Sequence, residues 1–100
     1  MSRYSFRLHD DDDKVLTVVL GYDRPLNYVF CTVTREGEED RPIYTNLADP
    51  GAGTHQRDVE YYRPILARLG IEVPERMFRE VMIDRALRTG NRNRDYTRGE

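Results

Sequence analysis

Within the first 46 residues, four strand-forming stretches are each closed by a cluster of turn formers, a spacing that constrains the chain to a sheet of short, sequentially connected strands. Residues 3–9 alternate polar and apolar, which places Tyr4, Phe6 and Leu8 on one face of a strand. Asp10, Asp11, Asp12 and Asp13 follow. Adjacent like charges resist helix and sheet, and aspartates bond their own backbone, so these four make a turn. Residues 14–20 are apolar on nearly both faces, as in a more central strand. Gly21, Pro25 and Asn27 then reverse the chain. Residues 27–35 form a third strand with Tyr28, Phe30 and Thr32 on one face and Val29, Cys31 and Val33 on the other. A polar turn over 36–40 leads to a short fourth strand at 42–46, where Pro42 suits an edge or a strand start.

The second half changes period. Asp49, Pro50, Gly51 and Gly53 predict a loop over 47–57. Asp58 can cap a helix carrying Val59, Tyr62, Leu66 and Leu69, which Gly70 stops; Pro64 either kinks it or moves its proper start to about Tyr62. Pro74 suits the first position of a second helix and Glu75 the positive end of its dipole. Met77, Phe78, Val81, Met82 and Ala86 make its apolar stripe, ending near Thr89. The expected fold is therefore α+β: an antiparallel four-stranded meander followed by two C-terminal helices packed on one face of the sheet (ββββαα). Residues 1–90 are expected to form a single α+β domain and residues 91–100 a flexible arginine-rich tail. Phe6, Leu16, Val18, Leu20, Phe30, Leu66, Leu69, Phe78 and Met82 are the expected core.

Composition narrows the chemistry. The formal net charge is −2, with ten acids against six bases in residues 1–50 and eight against ten in 51–100, too small an asymmetry to define a partner. Lys14 is the single lysine, a usage that reads as GC-rich coding. No apolar run reaches the ~18 residues of a membrane span, so the chain is expected to act in the cytoplasm, away from membranes. One cysteine makes no internal disulfide and no zinc site by itself.

No constellation assigns a catalytic residue, a metal ligand or a cofactor. His9 and the four aspartates lack the alternating ligands and the glycine of a calcium loop, and read as a solvated hairpin tip. Cys31 between Val29 and Val33 reads as a small buried hydrophobe. Gly51 and Gly53 lack the lysine and spacing of a phosphate loop. Two surface features remain. Arg92, Arg94 and Arg98, interleaved with Tyr96, can pair carboxylates or phosphates, and Ile83 with Leu87 lie round the second helix from the Met77 edge of its stripe. The expectation is a small non-catalytic protein-interaction module, an inhibitor or adaptor of a host machine, whose partner is an unidentified protein and which pairs as a homodimer through the second helix. The alternatives are a nucleic-acid-binding protein using the C-terminal arginines and a small enzyme with an unrecognised carboxylate site.

Overall fold

The computed structural model describes residues 1–52 and 58–97. The chain runs β1 (Ser2–His9), β2 (Val15–Asp23), β3 (Tyr28–Arg35), β4 (Tyr44–Thr45), α1 (Arg63–Arg68), α2 (Glu75–Leu87) and β5 (Arg92–Asp95). The fold is α+β, with two helices and a five-stranded mixed sheet in the order β4-β3-β2-β1-β5. The four expected strands pair antiparallel, with Tyr4 opposite Leu20 and Leu20 opposite Cys31.

The fifth strand corrects the sequence reading. Residues 92–95 are not a free tail: they lie parallel to β1, Arg92 in register with Ser2 and Asp95 with Ser5. The sheet is thus not strictly a four-stranded meander. The pairing extends one bond past the strand, where the Tyr96 amide donates to the Ser5 carbonyl at 2.7 Å, and the Arg92 amide reaches the Met1 carbonyl at 3.3 Å.

Local chemistry explains the element boundaries. Asp10 closes the first hairpin because one carboxylate oxygen accepts the amides of Asp12 and Lys14, each at 2.9 Å, while the other takes Arg35 Nε at 2.8 Å. Pro64 resolves its difficulty by sitting in the first turn of α1, where no amide donor is missed. The preceding residues Val59–Tyr62 form a turn of 3-10 helix capped by the Asp58 side chain. Pro74 stands just before α2 instead of inside it, and the helix ends at Leu87 because Arg88 adopts the left-handed conformation at φ 53°. The chain then turns directly into β5.

The core lies between one sheet face and the helices. Tyr4, Leu16, Val18, Leu20, Tyr22, Val29, Cys31 and Val33 meet Val59, Tyr62, Leu66, Ile71, Met77, Phe78, Val81 and Tyr96 there. Of the expected core, Leu16, Val18, Leu20, Leu66 and Phe78 are buried and Phe6 and Phe30 partly so, whereas Leu69 and Met82 are exposed. The reason is the rotation of α2. Its buried side is Met77, Phe78, Val81 and Asp84, so a carboxylate occupies the place that the apolar pattern gave to Met82 and Ala86. Asp84 is tolerated because Tyr4 Oη donates to it and Arg92 approaches at 3.2 Å.

Candidate binding face

Among the described residues, Val59–Tyr62, α1 and α2 contribute to the core on the sheet's Tyr4/Leu20/Cys31 side, and the opposite face is bordered by the 3-10 turn Asn46–Ala48 but not covered by α1 or α2. Strand alternation and register put Arg3, Ser5 and Arg7 of β1 on that face, with Thr17, Val19 and Gly21 of β2 and Tyr28, Phe30, Thr32 and Thr34 of β3. Arg3, Gly21 and Phe30 share one row. A Cβ added to Gly21 would overlap Phe30 Cζ and the Ser2 carbonyl oxygen, so the aromatic ring lies directly on the glycine backbone. The missing side chain is the recess into which Phe30 folds. Tyr28 sits two residues away with its ring centroid 6.4 Å from that of Phe30, tilted by 59°.

These side chains line a shallow depression of about 380 Å³ over β2 and β3. Arg3 stands on one side; Glu36 and Glu39, in the turn after β3, stand on another. Met1 and Leu47 complete the rim, and Leu47 is 82% exposed. The face therefore has an aromatic and threonine-rich middle with a cation and two carboxylates apart from one another. Among the described residues Arg3 has no ion pair, whereas Arg7 reaches Asp95 at 3.5 Å.

The side chains singled out in the sequence fall elsewhere, and they do not form one site. Arg92 is bound to Glu80 at 3.3 Å and to the buried Asp84 at 3.2 Å, which makes it a fastener of β5 to α2. Arg94 lies with its guanidinium carbon 5.1 Å from the Tyr96 ring centroid. Tyr96 is fully buried, packing 6.1 Å from the Tyr4 ring, so it is a core residue and no contact for a partner; its hydroxyl has no partner among the described residues. Arg98 lies outside the described residues. Ile83 and Leu87 are exposed on the outer side of α2, at 42% and 72%, and with Met82 form a second apolar strip that α1 does not cover. The alternation of β3 places Tyr28, Phe30 and Thr32 on one strand face, but the sequence pattern does not single out Val19, Gly21 and Arg3; the available signal is a glycine interrupting an otherwise apolar strand.

Other reactive groups are engaged structurally. Burial pushes the Cys31 thiol up to about 12, and its amide donates to Asn46 Oδ1 at 3.2 Å. The Tyr44 hydroxyl, the Gly51 amide and the Tyr61 hydroxyl hold the Asp49 carboxyl below its ordinary range. The Lys14 and Asp12 amides with the Arg35 guanidinium do the same for Asp10, and Arg63 does so for Glu60 and Glu75. The described residues contain no cluster of three histidine, cysteine or acidic side chains placed to hold a metal ion, and no helix long and apolar enough to cross a membrane. Comparison with protein-family models, curated proteins and solved structures gives no match for the chain.

Proposed function

We propose that this chain is a non-catalytic protein-interaction module, acting in the cytoplasm as an inhibitor or adaptor, and that its docking surface is the uncovered face of the sheet. The observation that carries the reading is the seating of Phe30 on Gly21, beside Tyr28, on a face that neither α1 nor α2 covers. Aromatic side chains within a polar rim are the composition of interface centres. A non-catalytic role is supported by the sealed Cys31 and by carboxylates held below their ordinary range, the opposite of a general acid tuned upward toward neutrality. Placing a photo-crosslinking residue at Thr32 in the native host should capture a protein, while the same residue at Arg68 should not. Equal capture from both positions would remove the face from consideration.

A second reading is supported by the same aromatic pair: Tyr28 and Phe30 on an open sheet could stack the bases of a single-stranded nucleic acid. Glu36 and Glu39 on the rim oppose a phosphate backbone, and the C-terminal Arg92 is occupied by Glu80 and Asp84. Salt-dependent retention of a single-stranded oligonucleotide, lost in Phe30→Ser, would favour this reading over the first. The enzyme reading is disfavoured by the engagement of the Asp10, Asp49, Glu60 and Glu75 carboxylates described above.

A further inference from the structure

We infer that the uncovered sheet face pairs with the same face of a second copy of this chain, an inference that rests on that face being a protein-docking surface. Three observations converge on a second copy as the occupant. First, the face divides its charge: Arg3 stands on β1 in the row of Gly21 and Phe30, near the start of β3, whereas Glu36 and Glu39 lie just beyond the end of β3. A two-fold axis lying between two such faces and crossing β2 near Thr17 and Val19 brings Arg3 of each copy over the acidic turn of the other. Both pairs form at once, as an isologous contact requires. Second, the ground between those charges is Val19, Thr17, Thr32 and Thr34, short side chains that let two sheets approach to the ~10 Å of a sandwich. Third, the exposed apolar side chains of the rim, Leu47 and Met1, gain cover from a broad flat partner.

The alternative pairing through α2 lacks this complementarity. Its strip of Met82, Ile83 and Leu87 is flanked by Arg79 and, just past the helix end, Arg88, and the acidic residue on that side, Glu80, is already paired with Arg92 of the same chain at 3.3 Å. Like charges facing each other oppose association.

The experiment is sedimentation equilibrium of the full chain over a concentration series, with thermal melts recorded for every variant. The wild-type chain is expected to reach a dimer mass. Arg3→Glu alone and the pair Glu36→Arg with Glu39→Arg alone should each raise the dimer dissociation constant at least ~tenfold. Mixing the two variant chains should restore dimers, because each heterodimer then holds both opposite-charge pairs; a misfolded variant could not be rescued this way. A monomer at every concentration would overturn the inference. So would dimers that survive both charge variants and are lost in Leu87→Glu, which would place the contact on α2. If Thr32 crosslinks a different protein while the chain stays monomeric, the self-pairing fails and the docking face stands. If Thr32 crosslinks nothing and the mass is monomeric, both fail together.

Discussion

Tyr4 and Asp84 meet in the core across almost the whole length of the chain, the tyrosine hydroxyl donating to a carboxylate that is completely removed from solvent. Arg92 approaches the other carboxylate oxygen at 3.2 Å, so β1, α2 and β5 share one polar junction. Removing a single member leaves a desolvated group with a partner fewer, which costs more than the bond itself contributes. Tyr4→Phe should lower stability by roughly 1–3 kcal/mol, and Asp84→Ala by more, since it strands the buried hydroxyl and removes one of the two carboxylates that hold Arg92. Denaturant melts of the two variants check the order. Equal stability with wild type would mean that the junction contributes nothing.

The same burial makes the protein sensitive to alkali. Desolvation raises the Tyr4, Tyr44 and Tyr62 hydroxyls above the ordinary tyrosine value, reinforced for the first two by Asp84 and Asp49. A raised value in the folded state means that the unfolded chain loses these protons first. Stability from them is therefore fully present below about pH 10, the unfolded value, and falls as pH rises beyond it. Phenolate absorbance should rise in one step with the loss of circular dichroism for these three rings. Independent early titration of all seven tyrosines would contradict the burial.

Gly21 is the described glycine at which a side chain would run into backbone; at Gly51 the overlap is with the Tyr61 hydroxyl alone. A methyl at Gly21 would overlap both Phe30 and the β1 backbone at Ser2, whereas one at Gly37 meets nothing within 4 Å and suffers only from a φ of +80°. Gly21→Ala should cost about 1–3 kcal/mol or more, because a strand must move as well as a ring. Gly37→Ala should cost about 1 kcal/mol. Thermal unfolding of the pair distinguishes close approach from conformational strain.

The rotation of α2 gives a paired test. Phe78 is 4% exposed beneath the Arg63 guanidinium, whose carbon lies 4.2 Å from the ring centroid, and Phe78→Ala should cost about 3–5 kcal/mol. Met82, on the outer side at 42% exposure, should tolerate alanine within about half a kcal/mol. Equal losses would restore the stripe that the sequence pattern implied.

That stripe shows where the sequence was legible and where it was not. Period-two alternation located β1 and β3, and β2 showed as a run apolar on nearly both faces, as its consecutive buried residues require. The apolar pattern of α2 misled because Asp84 faces the core as a charge satisfied from 80 residues away, and no local pattern encodes such a partner. With one core position held by a carboxylate, the pattern counted Met82 and Ala86 in its place. The open face was half legible. Tyr28, Phe30 and Thr32 alternate correctly, yet which side of a sheet the helices cover depends on long-range packing that strand periodicity does not contain.

β5 leaves no trace in the sequence pattern for a plain physical reason. Its four residues pair through their backbones at an edge while every side chain stays exposed, so Arg92, Asn93, Arg94 and Asp95 present no apolar alternation. Read from sequence, the segment is a tail whose removal leaves stability unchanged. Read from the structure, deletion of residues 91–100 removes the parallel ladder to β1, the Arg92 pairs to Glu80 and Asp84, and the buried Tyr96 ring against Tyr4. Losing the ring alone forfeits about 1.5–3 kcal/mol of burial, and Asp84 is left with one partner fewer in the core. The truncated chain should lose at least ~3 kcal/mol, which for a domain of this size lowers Tm by more than ~12 °C. Two point variants divide the effect. Tyr96→Ala should account for most of it, while Arg94→Ala, whose side chain is exposed above the ring, should cost under ~1 kcal/mol. Amide exchange of Arg94 and Tyr96 in the full chain supplies an independent reading, since ladder amides exchange slowly and tail amides at the rate of an unfolded peptide. A truncated chain that melts with the wild type, together with unprotected amides at those two positions, would return the segment to the status of a tail.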